Sequence, residues 1–271
     1  MKKHLLTLSV VITSFGFLSA QDKKIAEECF KKADYQCAEE QYSKLVLSEH
    51  IQKYQSEYYV NLGTAQRRLG KTTLAFKSYE SALKSNPKSI AVYENLASLH
   101  NQKGNRTKAL EYANTGVKLE PENAEIYLIR SKIYNNLGKK DFAMADLKQI
   151  LTFAPDNILA RTGLANLKKN NGDLEGALKD YNQLLTEKPE SLLYNGRADV
   201  YLKMKKSKEA LADINKAISV DPKFSQSYVT KAIILFESAK DKEACSNLDK
   251  AAALGHEKAL LTEFEGKCAK K

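Results

Sequence analysis

Residues 56–89 read SEYYVNLGTAQRRLGKTTLAFKSYESALKSNPKS, and residues 90–123 read IAVYENLASLHNQKGNRTKALEYANTGVKLEPEN. Laid one under the other, Tyr59 meets Tyr93, Leu62 meets Leu96, Gly63 meets Ala97, Gly70 meets Gly104, Ala75 meets Ala109 and Pro87 meets Pro121. The register runs on through the chain. All 5 prolines fall on it: Pro87, Pro121, Pro155, Pro189 and Pro222. Alanines keep the same step at Ala38, Ala75, Ala109, Ala143, Ala177, Ala210 and Ala244. Small residues keep it at Ala26, Gly63, Ala97, Ser131, Ala165, Ala198 and Ala232. A fourth row, Tyr59, Tyr93, Tyr127, Arg161, Tyr194 and Tyr228, is aromatic except at Arg161. Four rows stepping together by about 34 residues mark a repeat architecture.

The period has a physical reading. Gly70, Gly104, Gly138 and Gly172 stand between the small row and the alanine row. Glycine accepts the left-handed backbone that ends a helix. Proline then stops the second helix and opens the next unit. Each unit is therefore helix, tight turn, helix, turn. Small residues sit where two helices cross closely, and tyrosines together with Leu62, Leu96 and Leu164 fill the space around the crossing. One such hairpin cannot bury its apolar face alone, whereas stacked copies can. Composition agrees. The chain has 271 residues, 43% of them hydrophobic, with only 12 Gly and 5 Pro, which excludes a disordered, collagen-like or turn-rich β chain.

The set Tyr59, Leu62, Gly63, Gly70, Ala75, Tyr79, Ala82 and Pro87 resembles the tetratricopeptide repeat, and Tyr127, Tyr134, Gly138, Ala143 and Pro155 give another copy. The resemblance implies an all-α, right-handed superhelical solenoid over 21–271. Its seven units fall at about 22–55, 56–89, 90–123, 124–157, 158–190, 191–224 and 225–256. Departures are Arg130 and Arg197 for the usual leucine, and Lys205 and Ala239 for the turn glycine. The last stretch, Lys250-Ala251-Ala252 with Gly255 and Ala259, resembles the related Sel1-like repeat, followed by a capping helix at 257–268.

The resemblance also implies a function: a non-catalytic scaffold that binds a protein or peptide along its concave face, with no cofactor and no metal. The first helix of each unit lines that face. One row there reads Thr64, Ser98, Lys132, Asn166, Asp199 and Ile233; the next reads Arg67, Asn101, Asn135, Lys169, Leu202 and Phe236. The expected groove is thus polar and amide-rich at Thr64, Arg67, Ser98, Asn101, Lys132, Asn135, Asn166, Lys169 and Asp199, and apolar at its far end. Asparagine and lysine there suit the backbone or carboxylates of an extended peptide. Val60 and Glu125 stand where a carboxylate clamp needs lysines.

Residues 1–20 read differently. Basic Lys2 and Lys3, the apolar run Leu5 to Leu18, then Ser19-Ala20 before polar residues have the order of a secretory signal peptide. The alternative is an uncleaved N-terminal anchor. Cleavage leaves an exported, periplasmic chain without a membrane anchor, secretion or the outer envelope being the alternatives, and lowers the net charge from +10 to +8 with the loss of Lys2 and Lys3. In that compartment the cysteines invite pairing. Cys29 and Cys37 flank the turn at Ala33-Asp34, and Cys245 and Cys268 flank that at Gly255, so each pair can staple one end of the array. Four free thiols are the alternative.

Other chemistry finds little support. Ala65 to Thr72 matches a loosened phosphate-loop pattern, but it follows a helix rather than a strand. His256-Glu257 begins a zinc motif whose second ligand is replaced by Leu260. Isolated histidines (His50, His100, His256) read as surface or groove lining. The carboxylate pairs Glu27/Glu28, Glu39/Glu40 and Asp173/Glu175 read as solvated or, for Asp173, as a helix cap. Lysine is spread over every unit, densest in the turn Lys203, Lys205, Lys206 and Lys208, which argues against nucleic acid. Two further readings stay open: attraction to an anionic envelope polymer, and service as the accessory subunit of an envelope enzyme.

Overall fold

Between the glycine and proline marks the sequence is rich in good helix formers, and the chain obeys them. In the computed structural model, which describes residues 21–47, 54–256 and 262–268, every regular element is helical and none is a strand. The expected leader, 1–20, lies outside the described residues, as do His50 and the first part, 257–261, of the expected capping helix.

The chain forms two compact units that meet in sequence at Lys139 and Lys140. In the first, α1 spans residues 21–31. It is followed by α2 (Tyr35–Val46), α3 (Gln55–Arg68), α4 (Thr72–Ser85), α5 (Ile90–Gln102), α6 (Arg106–Leu119) and α7 (Ala124–Asn136). The second holds α8 (Lys140–Phe153), α9 (Ile158–Asn170), α10 (Leu174–Glu187), α11 (Ser191–Lys203), α12 (Ser207–Val220), α13 (Ser225–Glu237) and α14 (Asp241–Ala253). It closes with a 3₁₀ turn, Thr262–Phe264, and a short α15 (Glu265–Cys268). Consecutive helices pack as hairpins inside each unit. This is the all-α, helix-pair solenoid class that the repeat required.

The small rows are buried as expected. Ala97, Ala165, Ala198 and Ala232, with Ala75, Ala109, Ala177, Ala210 and Ala244, have no exposed surface. A β-carbon on Gly63 would lie 2.8 Å from the Tyr79 ring, so only glycine lets α3 approach α4 there. The aromatic row works through its hydroxyls as well. Tyr93 and Tyr228 donate to the carbonyls of Pro87 (2.9 Å) and Pro222 (3.0 Å), tying the start of a helix to the turn before it.

The turns show how a glycine signal can be absent while its geometry persists. At Gly70 (φ +75°) the amide of Gly70 bonds the Arg67 carbonyl and that of Lys71 bonds the Gln66 carbonyl. Lys205 (φ +59°) repeats this with Leu202 and Tyr201, and Ala33 and Ala239 are left-handed too. The repeat imposes the turn on residues that resist it.

Cys29–Cys37 and Cys245–Cys268 are disulfide-bonded, each pair with Cα atoms 5.7 Å apart. The expected capping helix is described only from residue 262 onward. Its described part is a 3₁₀ turn and one helical turn, and Phe264 stacks on Phe236 with centroids 5.7 Å apart. Lys267 lies 4.9 Å from the other aromatic centre of that contact, the Phe236 ring. The apolar end expected of the groove is therefore partly covered by the chain itself.

Candidate functional site

In the second unit the spacing of polar residues along α9 and α11 builds one shared face. Thr162, Asn166 and Lys169 recur at helical intervals on α9, as do Asn195 and Asp199 on α11. Lys169 donates to Asp199 across 3.4 Å, joining the two helices. Sequence reasoning expected an open Lys169; it is 9% exposed, and its charge is committed to this pair. Asp199 opens to water on one side, with a side chain 39% exposed, while protein surrounds the rest of it. Desolvation pushes its carboxyl above the ordinary range, against the downward pull of Lys169 and Lys203. Tyr181, fully buried on α10, donates to Asn166 at 3.0 Å. Burial holds that phenol far above its usual pKa, so it remains a donor.

Two groups of this face have no partner. Thr162 and Asn195 are 5% and 6% exposed, and neither Thr162 Oγ1 nor Asn195 Oδ1 makes a hydrogen bond. A buried polar atom left unpaired costs about 1–3 kcal/mol. Sequence reasoning missed both residues. Each stands one helical turn before a residue it did select, Asn166 or Asp199, and that interval was the available signal.

The corresponding residues of the first unit are differently engaged. Thr64 donates to the Val60 carbonyl at 2.8 Å and touches the Tyr79 hydroxyl at 3.2 Å. Arg67 is half-buried, with Nε unpartnered, and Ser98 is half-buried. Asn101 accepts from Asn136 at 3.2 Å, which links α5 to α7, while Lys132 and Asn135 are exposed on α7. Glu94, one turn before Ser98, was also missed. Burial, then repulsion from Glu125 and Glu120, raise its carboxyl, and a hydrogen bond from Asn123 opposes the rise.

Two expectations are corrected. His100 lines no groove: its ring sits between Phe76 (4.5 Å) and Tyr112 (5.4 Å), and burial lowers its pKa. Glu39 is buried rather than solvated and is paired with Lys71. Asp173 does cap α10, accepting from the Gly176 amide at 2.9 Å, but Glu39 shows that adjacent carboxylates need not share an environment. Ala65 to Thr72 forms the end of α3, the Gly70 turn and the start of α4, with no strand before it. His256 Nδ1 is 3.2 Å from the Ser225 hydroxyl. Among the described residues no cluster of three or more His, Cys, Asp or Glu is placed to hold a metal, and no helix is long and apolar enough to cross a membrane.

Two family models, both described as tetratricopeptide repeat, match the chain, one at residues 124–157 and 192–224 and the other at 60–120. The crystal structure of a tetratricopeptide repeat protein from Parabacteroides merdae is 31% identical, over 92% of this chain and 98% of that one, with a TM-score of 0.77. The chain belongs to the tetratricopeptide-repeat family. A thermophilic tetratricopeptide-repeat protein of Thermus thermophilus is 25% identical over 67% of this chain and 99% of its own, with a TM-score of 0.60. Pseudomonas aeruginosa PilF shares the fold alone, at 15% identity over 80% of this chain and 99% of its own, with a TM-score of 0.56. None of the curated proteins compared matches the chain. Tetratricopeptide-repeat folds are typically non-catalytic interaction scaffolds that bind protein or peptide partners.

Proposed function

We propose that this protein is a non-catalytic scaffold of the cell envelope that binds an extended peptide segment of a partner along the first helices of its repeats. The observation that carries the reading is the pair of unpartnered buried atoms, Thr162 Oγ1 and Asn195 Oδ1, beside Asn166, Lys169 and Asp199. Asn195 Oδ1 accepts and Thr162 Oγ1 both donates and accepts, which suits the alternating N–H and C=O groups of a peptide backbone. Asp199, destabilised as an anion, gains from a donor brought by the ligand. In the first unit, Arg67, Ser98, Asn101, Lys132 and Asn135 supply the corresponding contacts, while Thr64 is held by Val60 and Tyr79. The leader-like sequence of 1–20 and the two disulfides support the envelope assignment.

A photo-crosslinking residue at position 166, in protein expressed in its own envelope, tests this. Discrete adducts are expected that disappear in the Thr162→Val, Asn195→Leu variant and are missing when the crosslinker replaces exposed Lys179. Identical adducts from both positions, or adducts that survive the double substitution, overturn the reading. Adducts that dissolve with modest salt before crosslinking instead mark attraction by the basic surface.

A further inference from the structure

The opposite face of α9 departs from its neighbours at several repeat positions at once. In the first unit, Arg130 lies over the rings of Tyr127 and Tyr134 (5.3 and 5.8 Å) and donates to Asn114 at 2.9 Å. In the second, Arg197 lies over Tyr194 and Tyr201 (5.8 and 5.9 Å) and donates to Asn182 at 2.7 Å. Lys231 likewise donates to Asn215 at 2.9 Å. Compared with the α7 and α11 copies, the α9 copy has Arg161 and Lys168 in place of the two tyrosines and Lys148 in place of the asparagine, while Leu164 keeps the leucine of Leu62 and Leu96 where those copies carry arginine. Both rings are therefore missing. Arg161 turns to Glu187 and Lys168 to Asp180 (2.6 Å), both acceptors lying on α10. What remains is a cleft of about 370 Å³ between α8, α9 and α10, floored by Met144, Leu164 and Leu184. Lys148 stands at its edge, exposed and with no acceptor among the described residues.

We propose that this cleft receives an aromatic side chain of a partner protein with an acidic residue beside it, the ring lying on Leu164 and the carboxylate meeting Lys148. Size, polarity and charge select this occupant together. The volume is at the small end of ligand pockets and suits a single ring. The neighbouring copies fill the same place with tyrosine rings against a cation, so the fold itself shows what fits. Arg161 and Lys168 line the same cleft with their charges already balanced by Glu187 and Asp180, and Lys148 is left to seek an anion. The site lies across α9 from Thr162 and Asn195, so it stands or falls separately from the peptide-binding face.

The test uses the full chain with methyl-labelled methionine, since Met144 lines the cleft and Met204 packs against the core near Tyr181. The probe is the acetylated, amidated tripeptide Asp-Phe-Asp. The Met144 methyl resonance is expected to shift saturably with a Kd of about 1 mM while that of Met204 stays still. Asp-Ala-Asp is expected to bind at least about tenfold more weakly and Asn-Phe-Asn a few-fold more weakly. Lys148→Glu should lose the tripeptide, and so should Arg161→Tyr, which restores a ring, with an unchanged melting temperature. Thr162→Val with Asn195→Leu should bind it as the parent does. No saturable Met144 shift, equal shifts from the phenylalanine and alanine peptides, or binding that survives Arg161→Tyr would each overturn the proposal.

Discussion

Lys205 occupies a turn that four sibling repeats give to glycine, and exchanging the residues isolates the cost of one backbone angle. At φ +59° an L-residue is disfavoured by about 1–2 kcal/mol relative to glycine. Glycine in turn gives the unfolded chain extra freedom, about 0.5–1 kcal/mol. Lys205→Gly is therefore expected to stabilise by about 0.5–1 kcal/mol, the difference of those two effects. The reverse exchange is Gly172→Ala. At φ +88° a β-carbon there meets no atom within 4 Å, so steric contact adds nothing and the expected loss is about 1 kcal/mol from the backbone alone. Lys203, Lys206 and Lys208 crowd the same turn, so relief of charge is the competing explanation. Lys205→Ala separates them, because it removes the charge and keeps the β-carbon. Urea unfolding followed by far-UV circular dichroism reads the outcome as a shift in midpoint at constant slope. A lowered midpoint for Lys205→Gly, or an equal rise for Lys205→Ala, would refute the reasoning.

Gly196→Ala should cost about 1–3 kcal/mol, because its β-carbon would lie 2.4 Å from the Tyr181 hydroxyl; Tyr181→Leu in the same chain should recover part of the loss in a double-mutant cycle. Glu94→Gln should stabilise the protein at neutral pH and do nothing in acid. The native carboxyl titrates above its unfolded value, so parent stability falls as pH rises through that window, and the difference in unfolding midpoint should open above about pH 4. Arg197→Ala should cost about 3–5 kcal/mol by stranding Asp213, whose side chain is 8% exposed, whereas Arg197→Met with Asp213→Leu should restore most of it, both read by thermal melting. Removing Cys245–Cys268, which spans 23 residues, with a Ser pair should cost about 3 kcal/mol and raise amide exchange first in α14.

The fold was legible because its determinants are local and repeated. Ala177 or Pro155 means little alone, but each recurs at the one spacing that two stacked helices and their turns allow. Repetition even outweighed local preference, as Lys205 and Ala239 show by adopting the glycine turn. The proposed binding face was legible only by row. Its rows located Asn166, Lys169 and Asp199 but carried no information on depth, which depends on how α11 leans on α9 and decides that Lys169 is buried. Thr162 and Asn195 escaped for the same reason: a threonine and an asparagine on a helix are unremarked until packing buries Thr162 Oγ1 and Asn195 Oδ1 without a hydrogen-bond partner.

The cleft beside α9 shows the complementary limit. Arg161 was visible at once as the break in the tyrosine row, and the sequence supplied no reason to treat it as more than a weak copy. Its meaning depends on several positions read together, since Lys168 and Lys148 also differ from the α7 and α11 copies while Leu164 keeps the usual leucine, and their joint placement leaves a cavity. Arginine in place of tyrosine would otherwise be a conservative loss, its stem covering the same apolar ground. Here Glu187 draws the guanidinium away to α10, so the ground stays bare. In a repeat protein the copies calibrate one another: a row's regular members define what the stack needs for stability. A site where several rows depart together is then one that stability alone does not explain, and in this chain it falls on the back of α9.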